Sequence, residues 1–71
     1  MMNERKFELL QQANETLSTL SDIYLELATI FLTEQDKANS ELFLDKSSQA
    51  LEESLSISKL TVSTFELDKL F

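Results

Sequence analysis

Side chains that could do acid–base or nucleophilic chemistry are present in this chain, but without the neighbours such chemistry needs. The adjacent carboxylates Glu52-Glu53 and the close pair Glu34/Asp36 are the candidates for proton transfer. A working carboxylate pair sits in a water-poor cleft, where burial and an oriented partner shift its pKa. Both pairs here lie in polar stretches with no Arg or His to orient them. Ser47-Ser48, Ser54, Ser56 and Ser58 are the candidate nucleophiles, yet the chain has no histidine to activate them. It has no glycine either, so neither a nucleophile elbow nor a phosphate-cradling loop can be built. Asp36, Asn39 and Glu41 offer oxygen ligands but lack the glycine turn and the other ligands of a calcium loop. With no cysteine, thiolate metal sites and disulfides are also excluded. The sequence therefore points away from an enzyme and calls for no metal or cofactor.

Those side chains would be carried by helices. Gly and Pro together average roughly 12% of residues, and this chain contains neither. Tight turns mostly need them, so their absence favours few, long elements over a sheet. At 71 residues the chain is one domain at most. A core of that size rarely supplies more than ~3–5 kcal/mol of net stability. A partner or self-association is the remaining source of support. Arg5 and Lys6 precede Glu8, Gln11, Gln12 and Asn14, so no signal-peptide apolar core follows them. The apolar run 23–32 is half the ~20 residues needed to span a bilayer. The expected setting is cytoplasmic, with no membrane partner.

The net charge is −7, and nine of the thirteen acids lie between Glu15 and Ser58 against only Lys37 and Lys46. No cationic patch exists to release counterions from a phosphate backbone, so nucleic acid is not an expected ligand. An acidic middle can be a solvated face, or it can meet a basic partner by mimicking nucleic acid.

Leu10, Ala13, Leu17, Leu20, Tyr24, Leu27 and Phe31 follow at alternating steps of three and four. This is the seam of a helix that packs on another helix. With Leu10 at heptad position a, Glu8, Glu15 and Asp22 fall at f, opposite the seam. Leu9, Ile23 and Ile30 fall at g, whereas Leu25 and Leu32 fall at b on the other flank. The last turns are thus apolar almost all round, which suits either a third helix of the same chain or a docking surface. Asn3 is the expected first N-cap, and the polar run 33–39 is the expected connection. Ser40 or Asn39 would cap the second helix, with Glu41 in its first turn. Ser40, Phe43, Leu44, Ser47, Ala50, Leu51, Leu55 and Ile57 form its stripe, with small residues that let the axes approach. Leu44, Leu51 and Leu55 are expected to face Leu17, Leu20, Tyr24, Leu27 and Phe31. After Leu55 the pattern alternates like a strand but also keeps helical spacing, and a lone strand would have no partner.

The expected architecture is an all-α antiparallel two-helix hairpin forming a single domain over 1–71. It comprises a helix over about 4–33, a turn over about 34–39 and a helix over about 40–60. Residues 61–71 continue that helix, fray from it, or form a short third segment.

Two families share features with this pattern. Residues 21–54 resemble one tetratricopeptide repeat, a two-helix unit of about 34 residues. Tyr24, Leu27, Ala28 and Phe31 match its first helix, and Ser40, Leu44 and Ser47 match its second. The turn glycine, the terminal proline and a second copy are absent, so a solenoid is not implied. The whole chain also resembles the small co-chaperones of type III secretion needle proteins, which are two-helix hairpins of similar length. The stretch that carries this likeness is Gln49-Ala-Leu-Glu-Glu-Ser-Leu-Ser-Ile57, similar to that family's second helix. The serine-rich tail after Ser54 departs from it.

The second resemblance implies a heterodimer with a tetratricopeptide-like co-chaperone that together holds an unpolymerised needle subunit, linking the chain to virulence. Tyr24, Leu25, Ile30, Leu32, Phe43 and Ile57 are the expected partner-binding residues. An acidic phage-type inhibitor and a homo-oligomeric helical bundle are the alternative readings.

Overall fold

The computed structural model describes the backbone of residues 4–70 and every side chain in that range except those of Asp68 and Leu70. Two helices account for nearly all of it: α1, Glu4–Thr33, and α2, Lys37–Leu70. They pack along their length as an all-α antiparallel hairpin. The particle measures 55 × 15 × 9 Å with a radius of gyration of 16.3 Å. A compact globule of this length would have about 11 Å. The hairpin is a rod two helices wide and one helix thick, so neither broad face has a covering layer.

The turn is shorter than the sequence suggests and closes without glycine. The Gln35 N–H donates to the Leu32 carbonyl at 3.0 Å, and the Asp36 N–H donates to the Phe31 carbonyl at 2.8 Å. This pair of bonds is a Schellman motif, which places its C′ residue in the left-handed region. Gln35 occupies that position at φ 63°. A residue with a Cβ is disfavoured there by roughly 1–2 kcal/mol. Gln35→Gly is therefore expected to stabilise the hairpin by up to about 1 kcal/mol, after the added freedom of the unfolded chain is subtracted. An unchanged or lower urea midpoint would contradict that account.

Asp36, rather than Asn39 or Ser40, caps α2. Its carboxylate accepts from the Asn39 backbone N–H at 3.2 Å and from the Asn39 side-chain amide at 2.8 Å. An Asp at the N-cap satisfies donors that the first turn leaves open, and α2 accordingly begins at Lys37 instead of near residue 40. Ser40 has another use, because its hydroxyl is buried and donates to the Ala28 carbonyl at 2.8 Å. The Asn3 cap lies outside the described residues. No separate third segment occurs among the described residues, since α2 runs unbroken through the serine-rich tail to Leu70. Thr61 is accommodated by donating its hydroxyl to the Ile57 carbonyl at 2.7 Å, one turn back.

The seam between the helices is narrow and polar. On α2 it runs through Ser40, Phe43, Ser47, Ala50, Ser54, Ile57, Thr61 and Thr64, again at steps of three and four. On α1 the deepest residues are Ser21 and Ala28, both at heptad position e beside the seam read from sequence. The expected burial of Leu44, Leu51 and Leu55 against α1 is overturned, because all three are exposed at 45–62%. Close approach of the backbones accounts for this. Ser21 and Ser47 each place a hydroxyl against the other's carbonyl, at 3.1 and 3.0 Å, with their Oγ atoms 2.9 Å apart. Each hydroxyl has one proton, so at most two of these three contacts exist at once. Toward the open end, Ser54 donates to the Asn14 side-chain oxygen and the Asn14 amide donates to Ser58 Oγ at 3.1 Å. A leucine on this line would hold the helices too far apart for any of these bonds.

Large side chains close the two ends. Near the turn, Phe43 stacks on Phe31 with centroids 5.5 Å apart and lies 5.8 Å from Tyr24. At the open end, Phe7 and Phe65 meet edge-to-face at 5.8 Å, with Lys6 over Phe7 and Lys69 over Phe65.

Candidate protein interface

The groups first considered for chemistry are occupied structurally or lie exposed. Glu34, Glu52 and Glu53 are exposed, and Asp36 is the helix cap. Ser47, Ser54 and Ser58 belong to the seam, whereas Ser48 and Ser56 point to solvent. Among the described residues, no three carboxylates come together in a way that could hold a metal ion. No described helix is long and apolar enough to cross a membrane.

What the hairpin presents is uncovered apolar surface. Among the described residues, the buried hydrophobic side chains are Ala28 and Ala50, while thirteen large hydrophobic residues are exposed. A few exposed leucines are ordinary on any protein, but contiguous apolar surface marks a site of association.

Two faces divide this surface. The Phe7–Phe65 contact shows which flanks lie together on one broad face: positions e and b of α1 with the line of Leu44, Leu51 and Phe65 on α2. Leu25 and Leu32, at b, belong to this face. The opposite face joins the flank of Leu20, Ile23 and Ile30 to that of Lys46 and Glu53, where a shallow groove runs past Leu20, Lys46 and Glu53.

Charge separates the two faces further. On the first, no charged residue stands at e or b of α1 from Phe7 to Leu32, nor on the matching line of α2 from Leu44 to Phe65. Six acids project from the narrow edges, Glu8, Glu15 and Asp22 on α1 and Asp45, Glu52 and Glu66 on α2, and Glu41 stands at the turn end of the first face, just before Leu44. The second face mixes Ile23 and Ile30 with Glu26, Lys46 and Glu53.

The six residues expected to bind a partner are thus distributed over different environments. Leu25 and Leu32 are exposed on the charge-free face, and Ile30 is exposed on the mixed one. Tyr24 and Phe43 are half-buried in the ring cluster near the turn, and Ile57 is half-buried in the seam. Leu51, Leu55 and Val62 were not among the six, yet they are the better-placed set on α2. Their spacing from Leu44, at steps that sum to sevens and fours, was the signal that could have found them.

No family model matches this chain, and no curated protein or solved structure matches it.

Proposed function

We propose that this chain is a non-enzymatic protein-interaction module, acting as a small co-chaperone for a type III secretion needle subunit. The observation that carries the interaction reading is the inversion of ordinary packing: among the described residues the buried ones are serines and alanines, Leu10, Leu17, Leu20 and Leu27 are only half-buried, and thirteen large hydrophobic residues are exposed. A hairpin built this way gains from a second protein what its own core cannot supply. Its action is steric. Apolar helix faces cover complementary surface on a tetratricopeptide-like partner and on the needle subunit, and so hold the subunit unassembled.

The co-chaperone reading is supported by the hairpin shape and by the stretch from Gln49 to Ile57. Within it Ala50 is buried and Ile57 half-buried, while Leu51 and Leu55 point outward and are available to a partner.

Co-expression with a needle subunit and its tetratricopeptide-like chaperone tests this. The expected result is a complex that survives gel filtration at high salt, because buried apolar area is insensitive to screening. Absence of a complex overturns the co-chaperone reading. Capture that collapses on modest addition of salt would instead favour an acidic inhibitor.

A further inference from the structure

We infer that the charge-free face of α2 is covered by a second copy of this chain, bound antiparallel about a twofold axis level with Glu53. The inference rests on reading the chain as an interaction module and names the occupant of one of its faces.

The first observation is a second seam on α2. Leu44, Ser48, Leu51, Leu55, Ser58 and Val62 follow at steps of four and three, on the flank away from the mixed-charge face. This is the spacing a helix shows toward another helix, and α1 takes from it only Ser58, whose hydroxyl accepts from the Asn14 amide. Leu44, Leu51, Leu55 and Val62 are 45–62% exposed.

The second observation is its symmetry. Read from either end, this line gives large, serine, large, large, serine, large. A twofold interface must be self-complementary, with each residue type meeting its counterpart on the other copy. Antiparallel pairing sets Leu44 against Val62 of the second copy, Ser48 against Ser58, and Leu51 against Leu55. These three layers match in kind, and only beyond them does a charge enter, where Phe65 falls opposite Glu41 of the second copy.

Charge and area agree with this occupant. Two copies that each carry −7 can meet through a face whose centre holds no charge. Along its edge, the same register leaves Asp45 two residues, about 3 Å along the axis, from the level of Lys59 of the second copy, twice by symmetry, with Glu52 close to its own counterpart between them. The chain exposes 5564 Å², whereas a compact monomer of 8.2 kDa would expose roughly 4,500 Å². The excess, on the order of 1,000 Å², is what one partner contributes to a standard interface of about 800 Å² per side.

Sedimentation of the full chain across a dilution series, with single-cysteine variants for orientation, tests the arrangement. A reversible dimer is expected. Leu51→Glu with Leu55→Glu should weaken it by at least about a hundredfold, with far-ultraviolet helicity retained at high concentration. Oxidation of a mixture of the L44C and V62C variants should give mixed-chain disulfides. L44C alone should not cross-link, because its two copies would lie about 27 Å apart along the axis at 1.5 Å per residue. A chain that stays monomeric throughout overturns the inference, and so does efficient cross-linking of L44C to itself. If either occurs while the needle-subunit complex still forms, the interaction reading stands without the dimer. If both assemblies fail, that reading fails as well.

Discussion

Ser47→Leu is expected to force the two helices apart and to unfold the chain under conditions where the native sequence is folded. Ser47 is buried at the centre of the seam, where its hydroxyl reaches the Ser21 carbonyl at 3.0 Å. A larger side chain there has no free volume to enter, because the opposing residue is a serine whose own hydroxyl lies 2.9 Å away. Overpacking of this kind costs typically about 1–3 kcal/mol. Loss of the Ser47 hydrogen bond adds about 0.5–1.5 kcal/mol, and the Ser21 hydroxyl is left beside an apolar group. Against a reserve of ~3–5 kcal/mol for a core this small, the sum removes most of the fold. Ser56→Leu is the control, since Ser56 is exposed on the same helix and lies on neither seam. Thermal melts at equal protein concentration should show Ser47→Leu largely unfolded and Ser56→Leu close to native. A Ser47→Leu chain as stable as the native one would mean that the serine line is not the packing surface.

The result for Ser47 bears on what the sequence could disclose. The helices and their antiparallel pairing were legible, because the chain lacks turn formers and α1 repeats its apolar residues with a regular period. The register of α2 was only half legible. Ser40, Phe43, Ser47, Ala50 and Ile57 do face α1, but Leu44, Leu51 and Leu55 lie on the flank beside them. A reading weighted by hydrophobicity places leucine inside, since burying it removes more apolar area from water. Here the short distance between backbones decides, and at the deepest positions, Ser40, Ser47 and Ala50, only small residues fit it. The same effect hid Ser21 and Ala28, which stand one step off the apolar line of α1 yet are its most buried residues. The α2 start was missed because the cap was sought at Asn39 or Ser40, three and four residues beyond the Asp36 that caps it. The exposed leucines were partly legible, as the b-position pair Leu25 and Leu32 shows. The matching line on α2 was absorbed into an imagined core and so was not seen as a surface.

Phe43→Ala is expected to loosen the turn end of the hairpin and to be the most damaging truncation of a large side chain. Phe43 bridges the two helices by stacking on Phe31 at an interplanar angle of 7° while also touching the Tyr24 ring. Removal of a fully buried Phe costs about 3–5 kcal/mol. Phe43 is half-buried, so about 2–3 kcal/mol is the fitting expectation once solvent access is allowed for. The open end offers an internal comparison. Phe65 makes one edge-to-face contact with Phe7 and is 39% exposed, so Phe65→Ala should cost clearly less. A double-mutant cycle with Phe31→Ala isolates the stack, for which a coupling of about 0.5–1.5 kcal/mol is expected. Hydrogen exchange should show faster opening of amides near residues 28–45 in Phe43→Ala, with the Asn14–Ser54 end less affected. Equal losses for Phe43→Ala and Phe65→Ala, or no coupling to Phe31, would show that the aromatic cluster does not fasten the turn. The polar seam alone would then have to hold α1 and α2 in register.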